Sequence, residues 1–425
     1  MIKEIRFINW KSFRDAKVYI DPLNVLIGTN ASGKSNIIDG IAFLNSAVQG
    51  RNLQAALDGE RGLFLDGSIS AIRGGAEYAA LFPGDQFTLE AVIQEDNNID
   101  YKYSITVRIK PQVEVVAELL IKIMKKGKKP REKNLFSAYR NNESDEFSSP
   151  IIPTFVNKGK GGPARKDLKN FISVISQLKN YETIPEVSAA IQLVTGNLEV
   201  IFILDPIPSL MRDYKPFTQH LSRNAANLAG MIAALPEDKK LKFESQLTKR
   251  VSGLAEGEIR KVWAEPIGKF KKDAMLYCEE KWGRTGTTII DTRGMSDGTL
   301  RFLGILTALL TRPSGSLIVI EEVDNGLHPS RAKLLLKTMI EIGTERNIDI
   351  LITTHNPALM DELGVDMIPF IQVVHRDVED GTSKITLLED IKSLPKLLAH
   401  GSVGELSTTG EIERSLSLNG GVSNE

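Results

Sequence analysis

The stretch Gly28-Thr29-Asn30-Ala31-Ser32-Gly33-Lys34-Ser35 follows the apolar run Val25-Leu26-Ile27 and precedes Asn36-Ile37-Ile38-Asp39-Gly40-Ile41. These flanks predict a strand, a glycine loop and a helix that begins near Lys34. Glycines at the first and sixth positions let backbone N–H groups turn toward the α- and β-phosphates of a nucleotide. Lys34 would reach the β- and γ-phosphates, and the Ser35 hydroxyl suits Mg²⁺. Residues 28–36 therefore predict a phosphate cradle.

Composition bounds the class of protein. A chain of 425 residues exceeds the size at which single cores stop growing, so we expect two or more lobes. Lys and Arg number 53 against 54 Asp and Glu, so the net charge of -1 does not favour a nucleic-acid partner by itself. Cys278 is the one cysteine, which excludes an internal disulfide and a cysteine-built zinc site. With no signal peptide and no membrane-length apolar run, we expect a cytoplasmic protein without a membrane partner.

Segment patterns divide the chain into four parts. Residues 1–125 carry the cradle and period-two segments typical of an antiparallel β lobe. Residues 126–285 predict an insertion that is loop-like over about 130–163 and mainly helical after it. Residues 286–400 alternate strands with helices, which is typical of a parallel-sheet core. Residues 401–425 predict a frayed polar tail, and no heptad pattern supports a long coiled coil.

A second part of the site follows the apolar run Leu317-Ile318-Val319-Ile320, which predicts a buried strand that ends at Glu321 and Glu322. Carboxylates at the end of a parallel strand face the crevice in which open α/β sheets bind ligands. We expect Glu321 to hold Mg²⁺ and Glu322 to polarise the attacking water. The strand Ile348–Ile352 leads to His355, which predicts a histidine at the same sheet edge, close to a γ-phosphate.

The segment Met295-Ser296-Asp297-Gly298-Thr299-Leu300-Arg301 predicts another helix start. Ser296 can cap a helix that begins near Thr299, while Gly298 leaves its N-terminus open to an anion. The Asp297 carboxylate would repel a triphosphate unless it points away or is balanced by a cation such as Arg301. Two phosphate-binding helix starts in one chain predict a head-to-tail pair, in which Ser296, Asp297 and Gly298 act in trans on the partner's nucleotide.

Taken in order, these motifs resemble those of ATP-binding-cassette (ABC) ATPases of the structural-maintenance-of-chromosomes (SMC) and RecF type. The similarity covers Phe7-Ile8-Asn9-Trp10-Lys11-Ser12-Phe13, the cradle, and Glu321-Glu322-Val323-Asp324-Asn325-Gly326-Leu327-His328. The resemblance implies an α/β P-loop ATPase head that binds ATP and Mg²⁺. It further implies a signature motif at 296–298, a Walker B motif at Glu321 and Glu322, a D-loop at Asp324, Asn325 and Gly326, and a switch histidine at His355. Glu321 and Asp297 stand where the group usually has Asp and Gly.

A closer resemblance is to short ATPases of the overcoming-lysogenization-defect-like (OLD-like) and RecF-like group, which lack a long coiled coil. It is carried by Leu204-Asp205-Pro206-Ile207-Pro208, Met211-Arg212 and the segment at 296–301. Members of that group occur in bacterial anti-phage systems such as Septu and PARIS. The resemblance implies a separately encoded nuclease or toxin as partner, whose activity ATP-driven head association would control.

Two alternatives stay open. One is a slow or non-hydrolysing ATP-bound scaffold that sequesters a nuclease or toxin, and the other is a DNA repair or recombination ATPase. Two basic runs could bind DNA, although each is also typical of solvated turns. Their members are Lys122, Lys125, Lys126, Lys128, Lys129, Arg131 and Lys133, and then Lys158, Lys160, Arg165, Lys166 and Lys169. With 5 histidines and no acidic nuclease constellation, we do not expect this chain to cleave DNA alone.

Overall fold

The computed structural model describes residues 1–59, 71–125, 129–140, 150–159, 162–252, 259–326 and 329–419. The strands are β1 (Ile2–Trp10), β2 (Phe13–Tyr19), β3 (Leu23–Ile27), β4 (Gln86–Asp96), β5 (Ile99–Arg108), β6 (Glu114–Met124), β7 (Arg131–Tyr139), β8 (Ile151–Val156), β9 (Ala164–Lys169), β10 (Phe202–Leu204), β11 (Lys215–Pro216), β12 (Ile259–Ile267), β13 (Asp273–Trp282), β14 (Gly286–Asp291), β15 (Leu317–Ile320), β16 (Asp349–Thr353), β17 (Ile371–Arg376) and β18 (Ser383–Leu387).

The helices are α1 (Lys34–Val48), α2 (Leu53–Asp58), α3 (Val174–Leu178), α4 (Pro185–Glu199), α5 (Pro208–Met211), α6 (Leu228–Ala233), α7 (Glu237–Val251), α8 (Asp297–Thr311), α9 (Pro329–Arg346), α10 (Pro357–Leu363), α11 (Leu394–Leu398), α12 (Val403–Thr408) and α13 (Glu411–Asn419). In the described parts of the chain the longest helix is α9, with 18 residues, so the expected lack of a long coiled coil holds there. None of the described helices is long and apolar enough to cross a membrane.

The first of two compact units comprises Met1–Asp21, Gly28–Ile201 and Gln372–Thr386. Its strands follow the order β17-β18-β2-β1-β4-β5-β6-β7-β8-β9, and from β2 to β9 each neighbouring pair is antiparallel. Along β4 every second residue is buried, which is the pattern of a sheet with one face in the core. The predicted antiparallel β lobe is confirmed.

An aromatic cluster fixes the start of α1 in this unit. The ring centroids of Trp10 and Phe87 lie 4.7 Å apart, and those of Phe43 and Phe87 lie 5.4 Å apart. All three side chains are buried, and such edge-to-face pairs add about 0.5–1.5 kcal/mol each beyond area burial. Trp10 Nε1 also donates a hydrogen bond of 2.7 Å to the carbonyl of Asn36. Asn36 is in the first turn of α1, and Trp10 is the last residue of β1. This bond therefore fixes the N-terminal end of the helix that follows the glycine loop.

The prediction of a loop over residues 130–163 is wrong, because β7, β8 and the hairpin to β9 extend the antiparallel sheet there. In β8 buried Ile152, Thr154 and Val156 alternate with more exposed residues. A strand with one solvated face has the polar composition of a loop, which explains the error. Residues 141–149 and 160–161 lie outside the described chain. Helices α3 to α7 confirm the mainly helical part, but β12 and β13 also fall within the predicted insertion.

The second compact unit comprises Pro22–Ile27, Phe202–Ile371 and Leu387–Glu425. Its parallel strands follow the order β10-β15-β16-β3, and all residues of these strands are buried. In sequence, α8 precedes β15 and α9 joins β15 to β16, as in a βαβ unit. The predicted strand Leu317–Ile320 matches β15, and the parallel-sheet core is confirmed. A separate antiparallel sheet has the order β11-β13-β12, with β14 paired to β13.

The prediction of a frayed tail after residue 401 is wrong for α12 and α13. Leu406 and Ile412 are buried, and Ser402 caps α12 by accepting a hydrogen bond of 3.3 Å from the Glu405 N–H. Gly404 allows close packing, since a Cβ there would lie 2.2 Å from the carbonyl oxygen of Pro357. The small and polar residues of this segment therefore cap and pack helices. Residues 420–425 lie outside the described chain.

Candidate nucleotide site

The glycine loop lies in the first unit and follows a path that favours glycine at two positions. Gly28 has a φ of 143° and Gly33 a φ of 120°, and residues with a Cβ rarely adopt such values. A Cβ at Gly28 would lie 2.1 Å from the carbonyl oxygen of Val374. Ala31 has a φ of 63°, a left-handed value that is uncommon for a non-glycine residue. The loop therefore has no space for a side chain at its first position.

Two side chains from the last strands of this unit hold the loop backbone. Ser383 Oγ donates a hydrogen bond of 2.5 Å to the carbonyl of Ser32. Arg376 Nε donates one of 3.1 Å to the carbonyl of Ala31. These bonds bring residues about 350 positions apart in sequence to the same turn, and they fix two of its carbonyl groups.

Positive charge collects at the end of the loop. Lys34 Nζ donates hydrogen bonds to the carbonyls of Gly28 at 2.5 Å and Thr29 at 2.9 Å, so its ammonium group lies against the loop. The helix α1 begins at Lys34 and has no acidic residue in its first turn. Since a helix N-terminus carries a partial positive charge, both features favour an anion.

Ser32 adds hydrogen-bonding capacity to the cradle. Its side chain is 1% exposed, and among the described residues its Oγ has no hydrogen-bond partner. A buried polar group without a partner costs about 1–3 kcal/mol, so a ligand oxygen that met this hydroxyl would stabilise the loop. The exposed Thr29 and Asn30 complete the segment. By charge, shape and hydrogen bonding, the cradle fits a phosphate group.

The other predicted residues lie in the second unit, where three parallel strands end at one edge of the sheet. Ile320 pairs with Ile352, which pairs in turn with Val25. Glu321 and Glu322 follow β15, and His355 lies two residues beyond β16. β3 ends at Ile27, one residue before the glycine loop begins in sequence.

Glu322 is held in an unusual backbone conformation. Its φ is 45°, and such left-handed geometry costs a non-glycine residue about 1–2 kcal/mol. Its N–H donates a hydrogen bond of 2.9 Å to Thr353 Oγ1. Its Oε1 lies 3.7 Å from Nδ1 of His355, and both side chains are about half exposed, at 44% and 50%. The structure thus brings a carboxylate and an imidazole together at the end of a buried sheet.

The predicted D-loop residues surround this turn. Asp324 is 6% exposed, and its Oδ1 accepts a hydrogen bond of 2.7 Å from Thr354 Oγ1. Asn325 Nδ2 lies 3.4 Å from Oε2 of Glu322, and both Asn325 and Gly326 are exposed. Asp324 therefore braces the turn, whereas the next two residues face solvent. Leu327 and His328, which belong to the same predicted motif, lie outside the described residues.

The predicted signature segment begins α8. Ser296 is the N-cap, and its Oγ accepts a hydrogen bond of 3.1 Å from the Thr299 N–H. The helix begins at Asp297, two residues before the predicted start, and Gly298 is buried in its first turn. The exposed side of this helix start is formed by Ser296 and Asp297.

Asp297 forms an ion pair with Arg212. Its side chain is 66% exposed, whereas that of Arg212 is 32% exposed. Arg212 Nη1 also donates hydrogen bonds of 2.8–3.2 Å to the carbonyls of Thr292, Arg293 and Met295. The suggestion that Arg301 balances Asp297 is wrong, because Arg301 is buried and bonds to other groups. Arg212 is the balancing cation, and it also fixes the turn before α8.

The oxygen donors available for a metal fit Mg²⁺. Ser35 lies half-buried in the first turn of α1, and Glu321 lies half-buried after β15. Within the described ranges, no group of three or more His, Cys, Asp or Glu residues could hold a metal ion. Mg²⁺ usually takes one or two protein oxygens and fills its shell with substrate phosphates and water. The Ser35 hydroxyl and the Glu321 carboxylate are each an oxygen donor of the kind that Mg²⁺ takes.

The first basic run is neutralised in part, because three of its lysines pair with two carboxylates. Lys122 and Lys133 both pair with Glu186, at 3.1 and 2.6 Å, and Lys125 pairs with Asp100 at 2.6 Å. These contacts leave less positive charge for a DNA backbone than the sequence suggests. Two further members of the run, Lys126 and Lys128, lie outside the described residues.

The second basic run keeps more of its positive charge. Lys166 Nζ lies 4.4 Å from the ring centroid of Tyr181, and Lys169 Nζ lies 5.6 Å from that of Phe171. In the described part of the chain, neither lysine nor the exposed Lys158 forms an ion pair with an acidic group. Arg165 pairs with Asp167 at 3.1 Å, and Lys160 lies outside the described residues.

Three side chains important to this geometry were not predicted in their observed roles: Arg212, Thr353 and Arg301. The sequence gives a signal for the last one only, because Arg301 follows Ser296 by five residues and so continues the helix into the core. The bonds of Arg212 and Thr353 join segments 31 to 85 residues apart. No local pattern encodes such pairs.

Comparisons with known proteins agree with the motifs. A family model described as "AAA domain, putative AbiEii toxin, Type IV TA system" matches residues 23–361. An ATP/GTP phosphatase of Helicobacter pylori (strain ATCC 700392 / 26695) is 23% identical over 377 residues, which covers 85% of this chain and 87% of that protein. The chromosome partition protein Smc of Methanococcus voltae is 44% identical over 55 residues, or 13% of this chain and 5% of that protein.

Solved structures of SMC heads are also similar. The SMC head bound to the C-winged helix domain of ScpA has a TM-score of 0.45 and 13% identity, and covers 91% of this chain and 96% of that one. The SMC head domain from Thermotoga maritima has a TM-score of 0.41 and 16% identity, and covers 91% of this chain and 98% of that one.

Proposed function

The chain belongs to the family described as "AAA domain, putative AbiEii toxin, Type IV TA system". We propose that it binds ATP in the cradle and hydrolyses it. Residues 28–36 would hold the phosphates, and Ser35 and Glu321 would hold Mg²⁺, which supplies neutralisation of the β- and γ-phosphate charge. Glu322 would accept a proton from the attacking water, and His355 would stand beside it. The observation that carries this proposal is the anchored turn of Glu322 with its carboxylate 3.7 Å from His355.

Phosphate release by the wild type and by Glu322→Gln tests the catalytic role. Loss of a positioned general base costs about 10²–10⁴-fold in rate, so we expect turnover to fall by at least 100-fold while ATP still binds. Glu345→Gln is a matched control, because Glu345 is a solvent-exposed glutamate on α9 that pairs with Arg250. It has no part in the proposed chemistry. Equal turnover of Glu322→Gln and the wild type would contradict the assignment.

We further propose that ATP joins two copies head to tail, with Ser296, Asp297 and Gly298 completing the partner's site. The proposal is supported by a capped, partly exposed helix start that faces solvent with Ser296 and Asp297. Sedimentation of the Glu322→Gln variant with and without ATP and Mg²⁺ measures this association. A monomer under all conditions would count against it.

The cellular role that best fits the resemblance is control of a separately encoded nuclease or toxin in cytoplasmic anti-phage defence. The family description, which includes toxin–antitoxin systems, supports this direction. Co-purification of the product of a neighbouring gene, with ATP and without, tests it. A complex that forms and dissociates with nucleotide is the expected result, and the absence of any complex argues against an effector partner.

A slow or non-hydrolysing scaffold is the second candidate. It is favoured by Glu321, which is one methylene longer than the usual Asp, and by the Asp297 carboxylate at the helix start. ATP-dependent effector binding without measurable turnover would select this candidate. The third candidate, a DNA repair ATPase, is favoured only by the second basic run. Salt-dependent DNA binding that Lys166→Glu abolishes would support it.

A further inference from the structure

Arg301, on the signature helix α8, bonds to the turn that contains Glu321 and Glu322, here called the Glu322 turn. It lies in the second turn of α8, five residues after the cap Ser296. Only 6% of the residue is exposed. A buried guanidinium is costly unless its donors are satisfied, so its partners identify what it stabilises.

Two of the four hydrogen-bond contacts of Arg301 go to the backbone of the Glu322 turn, and the other two go to Asp205 and Pro206. Nη2 donates hydrogen bonds of 3.1 Å to the carbonyl of Glu321 and 3.1 Å to the carbonyl of Glu322. Nη1 donates one of 3.1 Å to the carbonyl of Pro206, and Nη2 lies 3.4 Å from Asp205 Oδ1. Burial lowers the pKa of Arg301, and the nearby carboxylates of Asp205, Glu322 and Asp324 oppose that effect.

Arg301 and Thr353 hold different backbone groups of Glu322. The N–H of Glu322 is fixed by Thr353 Oγ1, and its carbonyl is fixed by Arg301. A residue with a φ of 45° relaxes to a more extended or right-handed conformation unless the surrounding structure opposes it. Loss of either anchor would therefore displace the carboxylate that faces His355.

We propose that Arg301 is the positioning residue that keeps Glu322 in its hydrolytic geometry and links that geometry to the signature helix. The proposal rests on the proposed ATPase function for its catalytic readout. Because Arg301 belongs to α8, a shift of the helix start on meeting a nucleotide moves the anchor of the Glu322 carbonyl. Hydrolysis at one site thus depends on the state of the signature segment in the same chain.

Arg301→Lys tests the proposal, because it keeps the charge but loses the planar fork that reaches several carbonyls. Arg312→Lys is the matched control. Arg312 is the C-cap of the same helix and is half-buried. It bonds to the carbonyl of Leu221 at 3.4 Å and stacks on Phe202 at 3.6 Å. Both variants lose the guanidinium of an arginine on α8, and only the first loses the bonds to the Glu322 turn.

Hydrogen–deuterium exchange without nucleotide gives a readout that does not need ATPase activity. We expect amides of residues 321–324 to exchange about tenfold faster in Arg301→Lys than in the wild type, and to be unchanged in Arg312→Lys. We also expect the kcat of Arg301→Lys to fall by about 100-fold with ATP affinity retained, since small misplacements of a reacting group have such effects.

Three outcomes separate the possibilities. In the first outcome, residues 321–324 exchange faster in Arg301→Lys but not in Arg312→Lys, and the wild type itself does not hydrolyse ATP. This result supports the positioning role and rejects the proposed ATPase function. In the second outcome, residues 321–324 of Arg301→Lys exchange at the wild-type rate and its kcat is no lower than that of Arg312→Lys. This result overturns the positioning role. If Arg301→Lys does not fold, Arg301→Gln, which keeps one donor without the charge, is measured in the same way, and unchanged exchange in it overturns the proposal.

Discussion

The glycine loop of the first unit and the Glu322 turn of the second both contain a residue with a positive φ, and the two stabilise that conformation in different ways. At Gly28 a φ of 143° is available because the residue has no Cβ. At Glu322 a φ of 45° is maintained for a residue with a long side chain by bonds from Thr353 and Arg301. The first geometry is encoded by the residue itself, and the second by distant partners. Substitutions should therefore break the two sites by different routes.

The largest effect is expected at the loop. Gly28→Ala places a Cβ 2.1 Å from the Val374 carbonyl, which forces the loop to move. We expect ATP affinity to fall by more than about 100-fold, as measured by equilibrium binding of a fluorescent ATP analogue, because phosphate binding depends on the loop N–H groups.

Gly159→Ala is the matched control for that variant. Gly159 has a φ of 80°, and no atom lies within 4 Å of the position of an added Cβ. It therefore carries the backbone strain without the clash. If both alanine variants reduce ATP affinity equally, the backbone strain of an alanine with a positive φ explains the effect. The clash at Gly28 would then give no evidence that the loop binds phosphate.

A buried carboxyl, that of Glu118, predicts that the free energy of unfolding of the first unit depends on pH. Glu118 accepts hydrogen bonds from Tyr103 and from the N–H groups of Val174 and Ile175, yet its burial raises its pKa from 4.5 to about 7. A raised carboxyl pKa means that the folded state holds the proton more tightly. The protonated carboxyl therefore contributes fully to the free energy of unfolding below pH 4.5, and this contribution is lost as the pH rises to about 7. The total loss is about 3 kcal/mol at most.

Urea unfolding between pH 4 and pH 8 measures this contribution. Glu118→Gln removes the titration but keeps the shape of the side chain, so we expect the variant to lose that part of the pH dependence. An equally steep loss of stability between pH 4.5 and 7 in both proteins would show that another group is responsible.

At the Glu322 turn, Thr353→Val removes the acceptor for the Glu322 N–H. A buried donor left without a partner costs about 1–3 kcal/mol, so we expect the free energy of unfolding and the ATPase rate to fall together. Thr307→Val is the control, because in the described chain Thr307 Oγ1 is buried without a hydrogen-bond partner. Thermal unfolding should show a clear loss only at Thr353, and equal losses would deny the anchoring role.

The smallest effect is expected at Asp297. Its ion pair with Arg212 is largely exposed, and such pairs contribute about 0–1 kcal/mol. Asp297→Asn should therefore leave the melting temperature nearly unchanged. Removing the negative charge should lower the ATP concentration needed for association several-fold, as measured by sedimentation. Unchanged association would show that this carboxylate does not face the partner's nucleotide.

The sequence predicted the parts of the molecule whose geometry is local. The glycine loop, the buried strand before Glu321 and the cap at Ser296 each depend on a short pattern. The bond from Thr353 to Glu322 and the contacts of Arg212 join distant segments, so no local pattern pointed to them. For Arg301 the sequence indicated only its place in α8 and not its bonds to the Glu322 turn. The strands at 131–169 were missed because one face of each is solvated, and the last helices because small polar residues serve there as caps and packing sites.

The central claim is that a nucleotide site needs the cradle of one copy and the signature segment of another. Mixing two inactive variants, Lys34→Ala and Ser296→Arg, tests it directly by phosphate release. Random pairing gives mixed dimers with one intact site each, so we expect recovery of up to about a quarter of wild-type turnover. If each variant alone is inactive and every mixture is inactive too, the account is contradicted.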